Sequence, residues 1–260
     1  MGAMSAALIA CSTSVPTPQA PRHDPTAAWE SLLGRIVTPE GLVRYDLLQA
    51  DSGPLQQFIG WLAVHGPETD GFRLLDDNRR LAWHLNAYNA FVLWGVLQHS
   101  SSGLLHSVND VPGFFWKFDF GQDGERISLF SYETRVILPT YQEPLAHGAL
   151  NCASRSCPPL RAELYSATNL QEQLEDQMRR WVDSPDPTRA AVSWDDTLHQ
   201  FAFSQIFDWY SRDFRDWGAA DDPCRAVRAY ATGDLKERLL SHPDCPHTFY
   251  PYDWSLNAAP

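Results

Sequence analysis

The chain has 260 residues, 44% of them hydrophobic and 20% charged, with a formal charge of −12 at neutral pH. This composition excludes a disordered, coiled-coil or collagen-like chain, and a monomer of this length buries roughly 70–75% of its unfolded surface, enough for one core without metal or disulfide staples. The acidic balance, with no basic run longer than the pairs Arg79-Arg80 and Arg179-Arg180, argues against nucleic acid and anionic lipid as partners.

Residues 1–11, MGAMSAALIAC, are small and apolar and end in Leu8-Ile9-Ala10-Cys11. That tetrapeptide is similar to the lipobox of bacterial lipoproteins, whose cysteine is lipidated after the signal is removed. No Lys or Arg precedes Cys11, and the apolar stretch is short for a signal peptide. Residues 12–26 are rich in Ser, Thr and Pro and read as a flexible tether. The expectation is a domain lipid-anchored through Cys11 in the bacterial periplasm or outer membrane, touching the membrane only through that anchor. No apolar run reaches the roughly 18–20 residues of a membrane span.

Residues 27–260 read as a single globular domain. Leu55, Phe58, Ile59 and Leu62 form one helical face within 54–65. Residues 78–98 are apolar on nearly all sides, which predicts a central helix capped by Asp76 or Asp77. Residues 114–120 alternate like a strand, 122–124 signal a turn, and 126–130 return as a second strand. Ser131 is placed to cap a short helix through Leu138 that Pro139 stops. Residues 145–152 suit a buried strand. Thr168 and Gln171 have capping-box spacing before a helix carrying Leu170, Leu174, Met178 and Trp181. Ser204 is placed to cap a helix with Ile206, Phe207, Tyr210 and Phe214 on its apolar face, and 224–240 read as helical. The aromatic tail from Thr248 should pack on the body. The sum is an α+β fold: helix-rich, with a small, mainly antiparallel sheet; a papain- or transglutaminase-like architecture is an analogy drawn from the cysteine and histidine residue types alone.

Chemistry-bearing residues concentrate in 147–161, HGALNCASRSCPPLR, which follows an apolar stretch and ends at a double proline. An imidazole beside a thiol stabilises the reactive thiolate, and a third group must orient the ring. Cys152 as nucleophile, His147 as base and Glu133 as orienter supply those types. The spacing of His147 and Cys152 requires a bend near Asn151 for the two to meet. Asn86, Tyr88, Asn89, Asn151, Ser154 and Arg161 are candidates for binding substrate, with Asn151 or Asn86 as oxyanion donor. Two amides in an otherwise apolar helix must be hydrogen-bonded. Asn86 and Asn89 therefore tie down neighbouring loops, or hold the 147–157 loop or a substrate. The thiol chemistry needs no cofactor. His147, Cys152, Cys157 and Glu133 are also an acceptable zinc set. Cys152 and Cys157 could instead bridge, as a staple or a redox switch, and a Cys224–Cys245 bridge suits an oxidising compartment.

Taken in order, segments 41–47 (GLVRYDL), 83–91 (WHLNAYNAF), 127–133 (ISLFSYE), 147–161, 170–174 (LQEQL) and 204–214 (SQIFDWYSRDF) resemble a bacterial member of the domain-of-unknown-function family 547. The family's name assigns no activity. The resemblance implies a secreted or lipid-anchored protein, and positions matching Asn86, Asn89, Glu133, His147 and Cys152 recur in it. The position matching Cys157 is serine in some plant relatives, which favours Cys152 for shared chemistry. The chain departs from the pattern at Gly148, where an aromatic is usual, and at Leu138-Pro139, where an arginine often ends the short helix. The expected function is an extracytoplasmic thiol-dependent hydrolase or acyl transferase acting on a peptide, amide or thioester group. Its rival is a non-catalytic envelope lipoprotein that binds a ligand or partner, with Cys152–Cys157 as a structural disulfide.

Overall fold

The computed structural model describes residues 13–71, 76–100, 103–214 and 222–260. Cys11 and the 1–11 segment lie outside them. The expected tether does not hang free over its described part. Strand β1 (Thr13–Ser14) opens a sheet, Val15 is buried, and the indole of Trp94 donates to the Pro16 carbonyl at 3.0 Å. A Cβ at Gly60 would stand 2.6 Å from the Gln19 carbonyl oxygen, so glycine at 60 lets this segment lie close against the helix beneath it.

Helix α3 (Gly53–Leu62) packs on the long α4 (Asp77–His99), α1 (Thr26–Ile36) packs on α3, and α2 (Tyr45–Ala50) packs on α1. The expected face of α3 is buried. The Asp76 carboxylate caps α4 by accepting from Arg79 N at 2.9 Å. Most of α4 between Leu81 and Val96 is buried, as an all-round apolar helix requires.

The α+β class holds, with two small mixed sheets in place of one mainly antiparallel sheet. In the first, β2 (Phe118–Gln122) pairs in parallel with β1 and antiparallel with β3 (Glu125–Ser128). The β2–β3 hairpin turns through Asp123 and Gly124, both with positive φ, as a two-residue primed turn demands. Residues 114–117 are not strand. They wrap into a turn in which Trp116 N and Lys117 N both donate to the Gly113 carbonyl.

Residues 129–141 form one broken helical path. Ser128, not Ser131, caps α5 (Leu129–Ser131). A π-helical stretch (Tyr132–Ile137) follows, then α6 (Leu138–Tyr141). Pro139 does not stop the path, because it falls in the first turn of α6, where its missing N–H costs nothing. The expected strand at 145–152 is instead the short helix α7 (Ala146–Ala149). Pro144 precedes it, the Glu143 carboxylate accepts from Leu145 N, and only at Leu150 does the backbone turn extended.

Helix α8 (Leu170–Val182) buries Leu170, Leu174, Met178 and Trp181 as expected, but Asn169 occupies its N-cap without a side-chain bond. The Thr168–Gln171 box does not form, since Thr168 pairs with Ser166 and Gln171 with Glu175. The second sheet follows: β4 (Val192–Asp195) pairs antiparallel with β5 (Gln200–Phe203), which pairs in parallel with β6 (His247–Phe249). Helix α9 (Ile206–Trp209) is a single turn, shorter than the apolar spacing suggests. Gly233, with φ +49°, starts a separate helix, so 224–240 divides into α10 (Pro223–Arg228) and α11 (Gly233–Ser241). Both Cys224 and Cys245 are buried, and a disulfide joins them. The tail packs on the body through bridges of Ser255 to Ser107, Leu256 to Ser154 and Ala258 to Val43.

Candidate functional site

Segments from well-separated parts of the chain converge on one cavity of about 240 Å³. Helix α4 presents Tyr88, the π-helical stretch Glu133, α7 His147, the loop after it Cys152 and Cys157, and the α9 region Tyr210; the tail closes the cavity with Tyr252 and Trp254. Single π turns are frequent where a helix must re-aim a functional side chain, and here the π turn carries Glu133.

The expected Glu133–His147 contact is not formed. Both carboxylate oxygens of Glu133 are engaged by phenols, Oε2 accepting from the Tyr88 hydroxyl at 2.7 Å and Oε1 from the Tyr210 hydroxyl at 2.5 Å. Burial, reinforced by the Glu133 charge, pushes the phenols of Tyr88 and Tyr210 well above their usual range, so both remain protonated donors. His147 is only 4% exposed, and its Nε2 lies 3.0 Å from Asp213 Oδ2. Its ring packs against Tyr210 and Phe214. The ring is thus oriented by Asp213, within segment 204–214, and not by the expected Glu133. Tyr210 links the two acidic groups, bonding Glu133 through its hydroxyl while its ring flanks His147.

A disulfide joins Cys152 and Cys157. Cys152 is half-buried and reaches the cavity, whereas Cys157 is 3% exposed. Tyr252 Oη stands 3.3 Å from each sulfur and 3.1 Å from Ser154 Oγ, and Ser154 Oγ is 2.8 Å from Cys152 Sγ. Ala153, between them, is fully buried with φ +60°, a left-handed conformation costly for a residue other than glycine and common at functional sites. It is held there by Asn151 Oδ1, which accepts from Ala153 N, and by Asn257 N, which donates to the Ala153 carbonyl. Among the described residues no hydrogen bond joins Cys152 to His147.

The remaining candidates divide. Tyr88 and Ser154 touch the site. Asn86, Asn89, Asn151 and Arg161 do not line the cavity and act as fasteners. Asn86 pairs its side-chain amide with both N and O of Tyr165, and Asn89 pairs with Ala149 O and Asn151 N, each bond 2.9 Å long. Asn151 Nδ2 donates to Pro158 O, and Arg161 forms ion pairs with Glu163 and Asp176. No oxyanion donor is therefore available from Asn86 or Asn151 as they stand. For the zinc alternative, the donor atoms of Glu133, His147, Cys152 and Cys157 do not gather into a ligand cluster among the described residues. The group that does, Asp222 with Cys224 and Cys245, has both sulfurs in a disulfide.

A second cavity of about 570 Å³ lies on the other side of His147 and Tyr210, with Gln142, Glu143, Arg212 and Asp213 on its walls. The His147–Asp213 pair thus stands at the partition between two cavities.

Residues 72–182 match the family described as "Protein of unknown function, DUF547". That match covers less than half of the chain. No curated protein and no solved structure matches the chain. The DUF547 segment contains Tyr88, Glu133, His147 and both cysteines of the cavity, while Tyr210, Asp213, Tyr252 and Trp254 come from beyond it. Described among the residues of the structure, no helix is long and apolar enough to cross a membrane.

Proposed function

We propose that this protein is an extracytoplasmic thiol-dependent hydrolase or acyl transferase, held inert while Cys152 is bonded to Cys157. The observation that carries the reading is that the less buried cysteine of the pair, Cys152, opens on the same cavity as a histidine already oriented by a carboxylate. With Nε2 engaged by Asp213, Nδ1 is the ring nitrogen left to take a proton. Two disulfides accord with an oxidising compartment and hence with an anchor at Cys11.

The chemistry begins with reduction. A dithiol reductant delivers two electrons, is itself oxidised to a disulfide, and leaves Cys152 and Cys157 as thiols. His147 takes the Cys152 proton, and the thiolate attacks the substrate carbonyl. The leaving amine, alcohol or thiol departs with that proton, and a thioester remains on Cys152. Water or an acceptor amine then cleaves the thioester and restores the thiol. The bridge closes again only against a disulfide oxidant: its disulfide is attacked by the Cys152 thiolate to give a mixed disulfide, buried Cys157 then attacks the Cys152 sulfur, and the oxidant leaves as a dithiol carrying the two electrons.

The test is alkylation of the reduced, folded protein by iodoacetamide, mapped by mass spectrometry. Cys152 should react fastest, and His147→Gln should slow it about tenfold at pH 7 while leaving the rate near pH 9.5 unchanged, because thiolate then forms without the base. Equal rates for His147→Gln and the parent protein at pH 7 would sink the assignment. One observation favours a purely binding role instead: both Glu133 oxygens and both sulfurs already have protein partners. A Cys152–Cys157 bond that resists excess dithiol in the folded state would decide for that reading.

A further inference from the structure

The walls of the thiol cavity carry a selectivity that thiol chemistry alone does not require. Its rim is made of Phe115, Trp116, Phe130, Trp209, Tyr252 and Trp254. Trp116, Phe130 and Trp209 are 67%, 49% and 47% exposed, and they are the only large aromatic side chains among the exposed hydrophobics of the described residues. Exposed apolar groups scattered singly need no explanation, but three aromatics gathered at one mouth do. Trp209 stacks on Trp254, with ring centroids 5.8 Å apart and planes 21° apart, and Tyr252 packs against both. The aromatic faces are therefore held in place rather than left to close on one another.

Charge supplies the second half. No Lys or Arg lines this cavity, and the histidine that does has a carboxylate partner in Asp213. The one acidic side chain on its walls is Glu133, which is half-buried. Each of its oxygens accepts one phenol hydrogen, and a carboxylate oxygen has a further lone pair to offer. A fixed negative charge among electron-rich ring faces, in a chain of charge −12, is complementary to one ligand chemistry. We infer that the cavity binds an organic ammonium group, with the cation over the aromatic faces and directed toward Glu133. Cation–π attraction and the nearby carboxylate act in the same direction there, and both strengthen as water leaves the cavity. The inference rests on reading this cleft as the place where substrate sits, and it makes the substrate of the proposed thiol reaction an amine-bearing or quaternary-ammonium-bearing acyl compound.

The experiment compares choline with its neutral isostere 3,3-dimethyl-1-butanol by titration calorimetry on the full, disulfide-bonded chain. Choline should bind roughly tenfold more tightly than the isostere, the size expected of a partly desolvated cation–π site. Glu133→Gln should abolish the preference, and Trp116→Ala, at an exposed rim position, should weaken choline without disturbing the fold. Equal affinity for the two compounds, or no saturable choline binding up to about 10 mM, the weak end of specific recognition, overturns the inference. Because the oxidised protein is used, the result is independent of thiol reactivity. Choline binding with an inert Cys152 would leave this inference standing and remove the catalytic reading alone.

Discussion

Substituting Asn89 by alanine tests how the helical scaffold holds the cysteine loop. Asn89 Nδ2 donates to Ala149 O and its Oδ1 accepts from Asn151 N, both at 2.9 Å, so one side chain clasps the chain just before Cys152. Ala149 is 4% and Asn151 3% exposed, and solvent cannot readily replace the lost partner. Each orphaned buried group costs about 1–3 kcal/mol; since Asn89 itself is half-buried, the lower half of that range applies and the two together give about 3 kcal/mol. Against a total stability of about 5–15 kcal/mol, the urea midpoint should fall visibly. Asn86→Ala is the control. Asn86 makes the same two-bond clasp on Tyr165, at equal distances, so it should lose a similar amount of stability. Only Asn89→Ala should also hasten reduction of the Cys152–Cys157 bond by a dithiol, measured by trapping and intact mass. A loss below about 0.5 kcal/mol for Asn89→Ala, the noise of a surface substitution, would refute the clasp. Equal hastening by Asn86→Ala would refute its specificity for the loop.

Burial lowers the pKa of His84 from 6.5 to about 4, while its Nδ1 meets the Tyr132 hydroxyl at 2.7 Å. The unfolded chain therefore binds the extra proton first: the stabilisation is full above pH 6.5, shrinks as pH falls, and is exhausted near pH 4. At 1.36 kcal/mol per unit the whole effect is roughly 3 kcal/mol, and His84→Gln should flatten the fall in urea stability between pH 7 and pH 4.5. Replacing Cys224 and Cys245 together by alanine should cost about 3 kcal/mol, the chain-entropy value for the 21-residue separation they close, read as a lower urea midpoint with little change in Cys152 alkylation.

Much of this was legible in the residues because local rules and tertiary packing agreed. Helix α4 announces itself by apolar residues on every side and an aspartate in front. The Asp123-Gly124 turn needs positive φ twice, which few other residue pairs supply. The failures have an equally physical origin. At 145–152 the apolar run is too short to distinguish a strand from one helical turn, and Pro144 with Glu143 settled it in favour of helix. At 114–120 the alternation was real but Gly113 folded its first half into a turn. Within the site, Cys152, His147, Glu133 and Tyr88 were found by residue type, and they do line one cavity. Asp213 was missed because an aspartate in an amphipathic stretch looks like any solvated face; only the SRDF run, where it stands beside a buried Phe214, could have marked it.

The exchange of Glu133 for Asp213 as the partner of His147 changes what the cavity can be. A carboxylate that orients a catalytic ring must spend an oxygen on it; Glu133 spends both on phenols and still faces the cavity. It is thereby free of the histidine and available, as a fixed charge, to whatever enters. Asp213, by contrast, is 41% exposed at its side chain and lies on the far side of the ring, toward the second cavity. Glu133, given the triad role by sequence reasoning, is thus a cavity-facing group, and Asp213, across Tyr210, is the ring-orienting one. The segment 72–182 supplies the first of these and residue 213, beyond it, the second. On the proposed reading a substrate cation and a base-activated thiol coexist in one cleft, because the carboxylate facing the cavity is not the one that holds the imidazole.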